Sequence, residues 1–128
     1  MQNDTPIANP RQRGKNKTDF IVFFLLLNMR LSQFQITSIK SLAKKYFGPN
    51  TAVSLFGSRT DDSKKGGDID LFIKNKDESL LTLERKIHFL AELKAKIGEQ
   101  KIDVVFDNAY TRQKKNFYHS LTRHKIEI

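Results

Sequence analysis

Asp68 and Asp70 stand two residues apart where Gly66-Gly67 runs into the apolar stretch Ile69-Asp70-Leu71-Phe72-Ile73. Residues two apart on a strand point the same way, so both carboxylates share one face while Ile69, Leu71 and Ile73 share the other. Paired carboxylates repel unless a cation lies between them, and hard divalent ions prefer oxygen ligands. Shortly upstream, Ser54-Leu55-Phe56 ends in Gly57-Ser58, followed by Arg59. A Gly-Ser turn at a strand-to-helix junction offers backbone N–H groups and a hydroxyl to an anion. An anion cradle beside two acids suits a metal-bound nucleoside triphosphate. A third carboxylate, Asp103, sits between Ile102 and Val104, where an isolated charge is costly unless the position opens onto a ligand. An Asp-x-Asp pair by itself more often decorates an exposed strand; the Gly-Ser turn, the preceding glycines and Asp103 together favour a site.

The elements that must position these residues are readable in outline. Thr51 to Phe56, Asp68 to Lys74 and Lys101 to Phe106 read as strands, and Lys125 to Ile128 as an edge strand. Ser32 and Gln35 form an S-x-x-Q capping box, with Leu31 and Ile36 placed as a hydrophobic staple. Phe34, Ile39, Leu42, Tyr46 and Phe47 follow at helical spacing, and Gly48-Pro49 ends that helix. Arg59 to Asp62 reads as a short helix and Ser63 to Gly67 as a flexible loop. A long helix capped by Asp77 or Ser79 is predicted next, its apolar stripe formed by Leu80, Leu83, Ile87, Leu90, Leu93 and Ile97, with Gly98 closing it. Thr111 to Leu121 reads as a shorter basic helix. The expected fold class is α/β (α+β): a mixed β-sheet with helices packed on it.

Composition narrows the classes. At 128 residues the chain suits one domain with one modest core. It has no cysteine, which excludes disulfides, thiolate zinc sites and cysteine nucleophiles, and fits a reducing cytoplasm. A formal net charge of +9 points to an anionic partner or to a solvated basic surface. No basic run interleaved with stacking aromatics stands out, so nucleic acid is an open but unsupported partner. Residues 1–28 read as a leader or a mis-assigned start, with the domain at 29–128. Phe20 to Leu27 is apolar but far short of the roughly 20 residues of a membrane span. It is followed by Asn28-Met29-Arg30 rather than a small-residue cleavage site. No membrane association is expected.

Leu55-Phe56-Gly57-Ser58-Arg59, Gly67-Asp68-Ile69-Asp70-Leu71 and Ile102-Asp103-Val104-Val105 together resemble the DNA polymerase beta-type nucleotidyltransferase superfamily. The likeness is to its minimal, stand-alone bacterial members and spans Met29 to Ile128; Phe89-Leu90-Ala91-Glu92-Leu93 and the run from Gly98 to Asp103 share it. It implies the polymerase beta-like fold and two-metal nucleotidyl transfer. Asp68, Asp70 and Asp103 would be the catalytic and metal-holding residues for two Mg²⁺ ions, with Asp103 as general base. Gly57, Ser58 and Arg59 would bind the nucleotide, with ATP the donor. Lys64 and Lys65 read as solvated loop residues. His88, His119, His124, Asp61, Asp62 and Asp107 fall outside the expected site, Asp107 as a turn residue.

Such a core, about a hundred residues long, leaves little to grip a second substrate. The resemblance to minimal members therefore implies a small helical HEPN-type protein partner presenting the acceptor hydroxyl, in a toxin–antitoxin pair or a two-subunit enzyme. The competing expectation is a non-catalytic module that keeps the fold and binds RNA or a protein through its basic surface.

Overall fold

The computed structural model describes residues 31–56 and 68–128. Gly57, Ser58 and Arg59, the short helix and loop expected between Arg59 and Gly67, and the leader at 1–28 all lie outside the described residues.

Helix α1 (Gln33–Phe47) begins with the anticipated capping box. Ser32 Oγ accepts from the Gln35 N–H at 3.0 Å, and Gln35 Oε1 accepts from the Ser32 N–H at 2.8 Å. The two bonds satisfy N–H groups that the first helical turn cannot. At the other end Gly48 has φ +106° and ψ 157°, a region open almost only to glycine. A Cβ there would lie 3.1 Å from Leu80 Cδ1 and 3.3 Å from Asn75 Nδ2. The chain then enters β1 (Ala52–Leu55). Buried Asn75 stitches this corner, donating to the Phe47 carbonyl at 3.0 Å and to Thr51 Oγ1 at 3.2 Å.

Strand β2 (Ile69–Lys74) pairs antiparallel with β1, and β3 (Ile102–Phe106) pairs parallel with β2. The short β4 (Ile126–Glu127) closes the sheet on the far side of β1, in the order β3-β2-β1-β4. A parallel pair needs a crossover, and α2 (Leu83–Ile97) supplies it. Its start differs from the expectation. Asp77 caps a single 3₁₀ turn at Glu78–Leu80, and Thr82 is the true N-cap, its hydroxyl accepting from the Arg85 N–H at 3.2 Å. The expected stripe holds at Leu90, Leu93 and Ile97, which lie in or against the core, but not at its start. Phe89 and Leu93 face the core, whereas Leu83 and Ile87 are 68% and 56% exposed. Three- and four-residue steps fit two neighbouring stripes of one helix, and only the sheet selects between them. Phe34, expected inside, is exposed on the first turn of α1 for the same reason.

The main core lies between one sheet face and the pair α1 and α2. It is centred on Ile39, Phe47, Leu71, Ile73, Phe89 and Leu93, with Phe47 meeting both Phe89 and Phe106. The basic segment is two helices rather than one: α3 (Ala109–Gln113), capped by Asn108, and α4 (Lys115–His124). Helix α4 packs on the opposite sheet face, where Tyr118 lies edge-on to Phe72 with centroids 6.3 Å apart. That second layer explains why Phe72 is only 1% exposed although it shares a face with Asp70. Among the described residues no helix is long and apolar enough to cross a membrane.

Candidate functional site

The parallel register sets Asp70 of β2 directly beside Asp103 of β3. Neighbouring strands lie about 4.8 Å apart, so backbone hydrogen bonds hold the two residues side by side on the sheet. The ladder around them is continuous: the Ile69 N–H donates to the Lys101 carbonyl at 3.0 Å, and the Asp107 N–H to the Ile73 carbonyl at 2.9 Å. Inward-turned Ile69, Leu71, Ile102 and Val104 are buried, which fixes the outward direction of Asp70 and Asp103. Asp103 is exposed on the edge strand, and Asp70 is half-buried. Asp68 precedes β2 and is exposed, two residues ahead of Asp70 on the same alternation.

The structure thus brings Asp70 and Asp103 together, with Asp68 at the adjoining strand entrance. Among the described residues, no three acidic, histidine or cysteine side chains are gathered as a preformed metal cage. The donor set nevertheless fits magnesium. That ion usually takes one or two carboxylates and completes its octahedron with water and substrate phosphates. Like charges set side by side in a sheet are unfavourable unless a cation or donor lies beside them.

Phe56 joins the same row. Its N–H donates to the Asp70 carbonyl at 3.1 Å, making it the cross-strand neighbour of Asp70, and alternation turns its ring to the carboxylate face. Extending the β1–β4 register by one residue sets Lys125 on the other side of Phe56, and Lys125 Nζ lies 5.4 Å from the Phe72 ring centroid. Reading across the sheet, the row is Lys125, Phe56, Asp70, Asp103. The sequence offered one clue to Phe56: it follows Ser54 by two and so turns away from the core-facing Val53 and Leu55.

Helix α4 is anchored over this face by an acid the sequence reading set aside as a turn residue. Asp107 is 5% exposed; its carboxylate accepts from Arg112 Nη1 at 2.8 Å and from the Tyr118 hydroxyl at 3.1 Å. Arg112 also pairs with Glu78 at 2.8 Å, which ties α3 to the 3₁₀ turn. Burial, reinforced by the Asp107 charge, pushes the Tyr118 phenol above its ordinary pKa and keeps it a hydrogen-bond donor. The local signal for this clasp was weak, because Asp107, Arg112 and Tyr118 meet only when α3 and α4 fold back over the ends of β2 and β3.

Among curated proteins, none matches the chain. Residues 37–128 match the family described as Polymerase beta, Nucleotidyltransferase. That match runs from α1 to the end of β4 and includes all three aspartates of the site. With well over half its length matched and a four-stranded mixed sheet carrying paired carboxylates, the chain belongs to the polymerase beta nucleotidyltransferase family.

Proposed function

We propose that this protein transfers AMP from ATP to a hydroxyl group on a small helical HEPN-type partner protein, in the manner of an antitoxin that modifies its toxin. The observation that carries the transfer chemistry is the in-register pair of Asp70 and Asp103, with Asp68 beside it. Exposure of Asp68 and Asp103 leaves that edge of the sheet open to a second macromolecule.

Asp68 and Asp70 would hold the two Mg²⁺ ions that accompany the triphosphate, and Asp103 would share in holding them. Bound magnesium supplies charge neutralisation on the phosphates and lowers the pKa of the attacking hydroxyl. The acceptor oxygen bonds to the α-phosphorus, the α–β anhydride bond breaks, and pyrophosphate leaves with that electron pair. Asp103 accepts the proton lost by the hydroxyl. Gly57 allows close backbone approach to the phosphates, Ser58 donates hydrogen bonds to them, and Arg59 offsets their charge. ATP and the HEPN-type acceptor rest on the likeness to minimal members of the family.

Two measurements test this reading. Titration calorimetry with Mg²⁺ and ATP is expected to show metal-dependent binding that Asp68→Asn loses. Incubation with α-labelled ATP and the product of the neighbouring gene is expected to label that protein. A tight complex whose partner stays unlabelled would replace the enzyme with a binding module.

A further inference from the structure

We infer that Phe117 and Phe56 form the subsite that holds the base of the donor nucleotide, by stacking. The inference rests on the proposed transfer and adds to it where the base lies.

Phe56 is the immediate cross-strand neighbour of Asp70, so its ring borders the carboxylates. Phe117 meets it edge to face, with centroids 6.4 Å apart and ring planes at 82°. That geometry is favourable for the aromatic quadrupoles, and it leaves ring faces uncovered by the pair itself. Phe117 is 42% exposed even though the adjacent turns of α4 are turned into the sheet by Tyr118 and Leu121. An apolar ring left partly in water beside a charged site is a surface on which a planar ligand gains burial.

The platform is held in place from two sides. Strand pairing fixes Phe56, and the Asp107, Arg112 and Tyr118 hydrogen bonds fix α4 one residue beyond Phe117. A stacking surface on a strand and a clamped helix keeps its geometry better than one on a loop. Every base has a π-face, so stacking tolerates any base and favours the larger purines. Lys125, opposite Phe56 in the row, places positive charge at the far side of the platform from the acids. The site therefore takes a purine nucleoside triphosphate with modest discrimination between adenine and guanine.

The test compares ATP with inorganic tripolyphosphate, which lacks the base, binding to the full chain in magnesium. Phe117→Ala is expected to weaken ATP about tenfold while leaving tripolyphosphate affinity unchanged, and Phe117→Trp to restore ATP. Equal weakening of both ligands would mean that the ring only supports the fold, and unchanged ATP affinity would place the base elsewhere. Either result overturns the subsite while leaving the transfer intact. A wild-type chain that binds neither ligand overturns the transfer reading itself, and the subsite with it.

Discussion

Asp103 carries the sharpest consequence at the scale of a residue. It is exposed on an edge strand in register with Asp70, so neutralising it takes no buried contact from the fold. Asp103→Asn is therefore expected to leave the metal-free fold unchanged. The same change should lower nucleotidyl transfer about 10²- to 10⁴-fold, the range for loss of a positioned base. Thermal melting in EDTA and transfer of labelled AMP read the two effects separately. A variant that unfolds would make Asp103 part of a structural network instead. Alternation in Asp68-Ile69-Asp70-Leu71 made the direction of the acids legible from the chain. That Asp103 belongs with them was expected from the sequence; its direct register with Asp70 was not legible, because strand register depends on contacts far apart in sequence.

Helix α4 matters at the scale of the element, because it covers the carboxylate-bearing face and is tied down by one buried acid. Asp107→Ala leaves Arg112 its second partner, Glu78, but leaves the half-buried Tyr118 hydroxyl without its acceptor. An unsatisfied buried donor costs about 1–3 kcal/mol, and urea unfolding should show a loss of that size. Tyr118→Phe removes only the donor, with Arg112 still bonded to Asp107, and should cost about 1 kcal/mol. Hydrogen exchange in α4 should accelerate in Asp107→Ala more than in α1; uniform acceleration across the chain would refute a local clasp. The helix boundaries show how far local signals reach. The capping box at Ser32 and Gln35 and the stops at Gly48 and Gly98 act within a turn, and all were readable. The burial of Phe89 and the exposure of Leu83 and Ile87 were not, since they depend on where the sheet lies beneath α2.

Titration acts on the whole molecule, through the bonds joining α1 to α2. Glu92 accepts from the Tyr46 hydroxyl and pairs with Lys45 at 2.9 Å; the tyrosine bond first, then the lysine, holds the Glu92 carboxyl below the ordinary glutamate range. A carboxyl pKa lowered by folding contributes stability above its unfolded value and loses it as pH falls through the folded one. The same bond raises the Tyr46 pKa, so that contribution is complete below the ordinary tyrosine range and is lost as pH rises through the raised value. Wild-type stability should therefore fall towards acid and towards strong alkali. Glu92→Gln should flatten both limbs in urea titrations at a series of pH values, and an unchanged profile would show that these exposed groups do not couple the helices. The edge of the sheet is guarded on this scale as well. Lys86 Nζ donates to the outward Val104 carbonyl at 3.0 Å, occupying an acceptor that a foreign strand would otherwise use.

The chain by itself determined the types and directions of the parts. Period-2 and helical spacing, caps and glycine stops depend on neighbours a few residues away, so the strands, the carboxylate face and the likeness to a nucleotidyltransferase were all present in the string. Tertiary structure decided the pairing of Asp70 with Asp103, the choice of buried stripe on α2, the split into α3 and α4, and the meeting of Phe56 with Phe117. Each of these depends on contacts between elements rather than on the sequence of one. Their geometry follows from burying both sheet faces at once, a condition that no local window of residues contains.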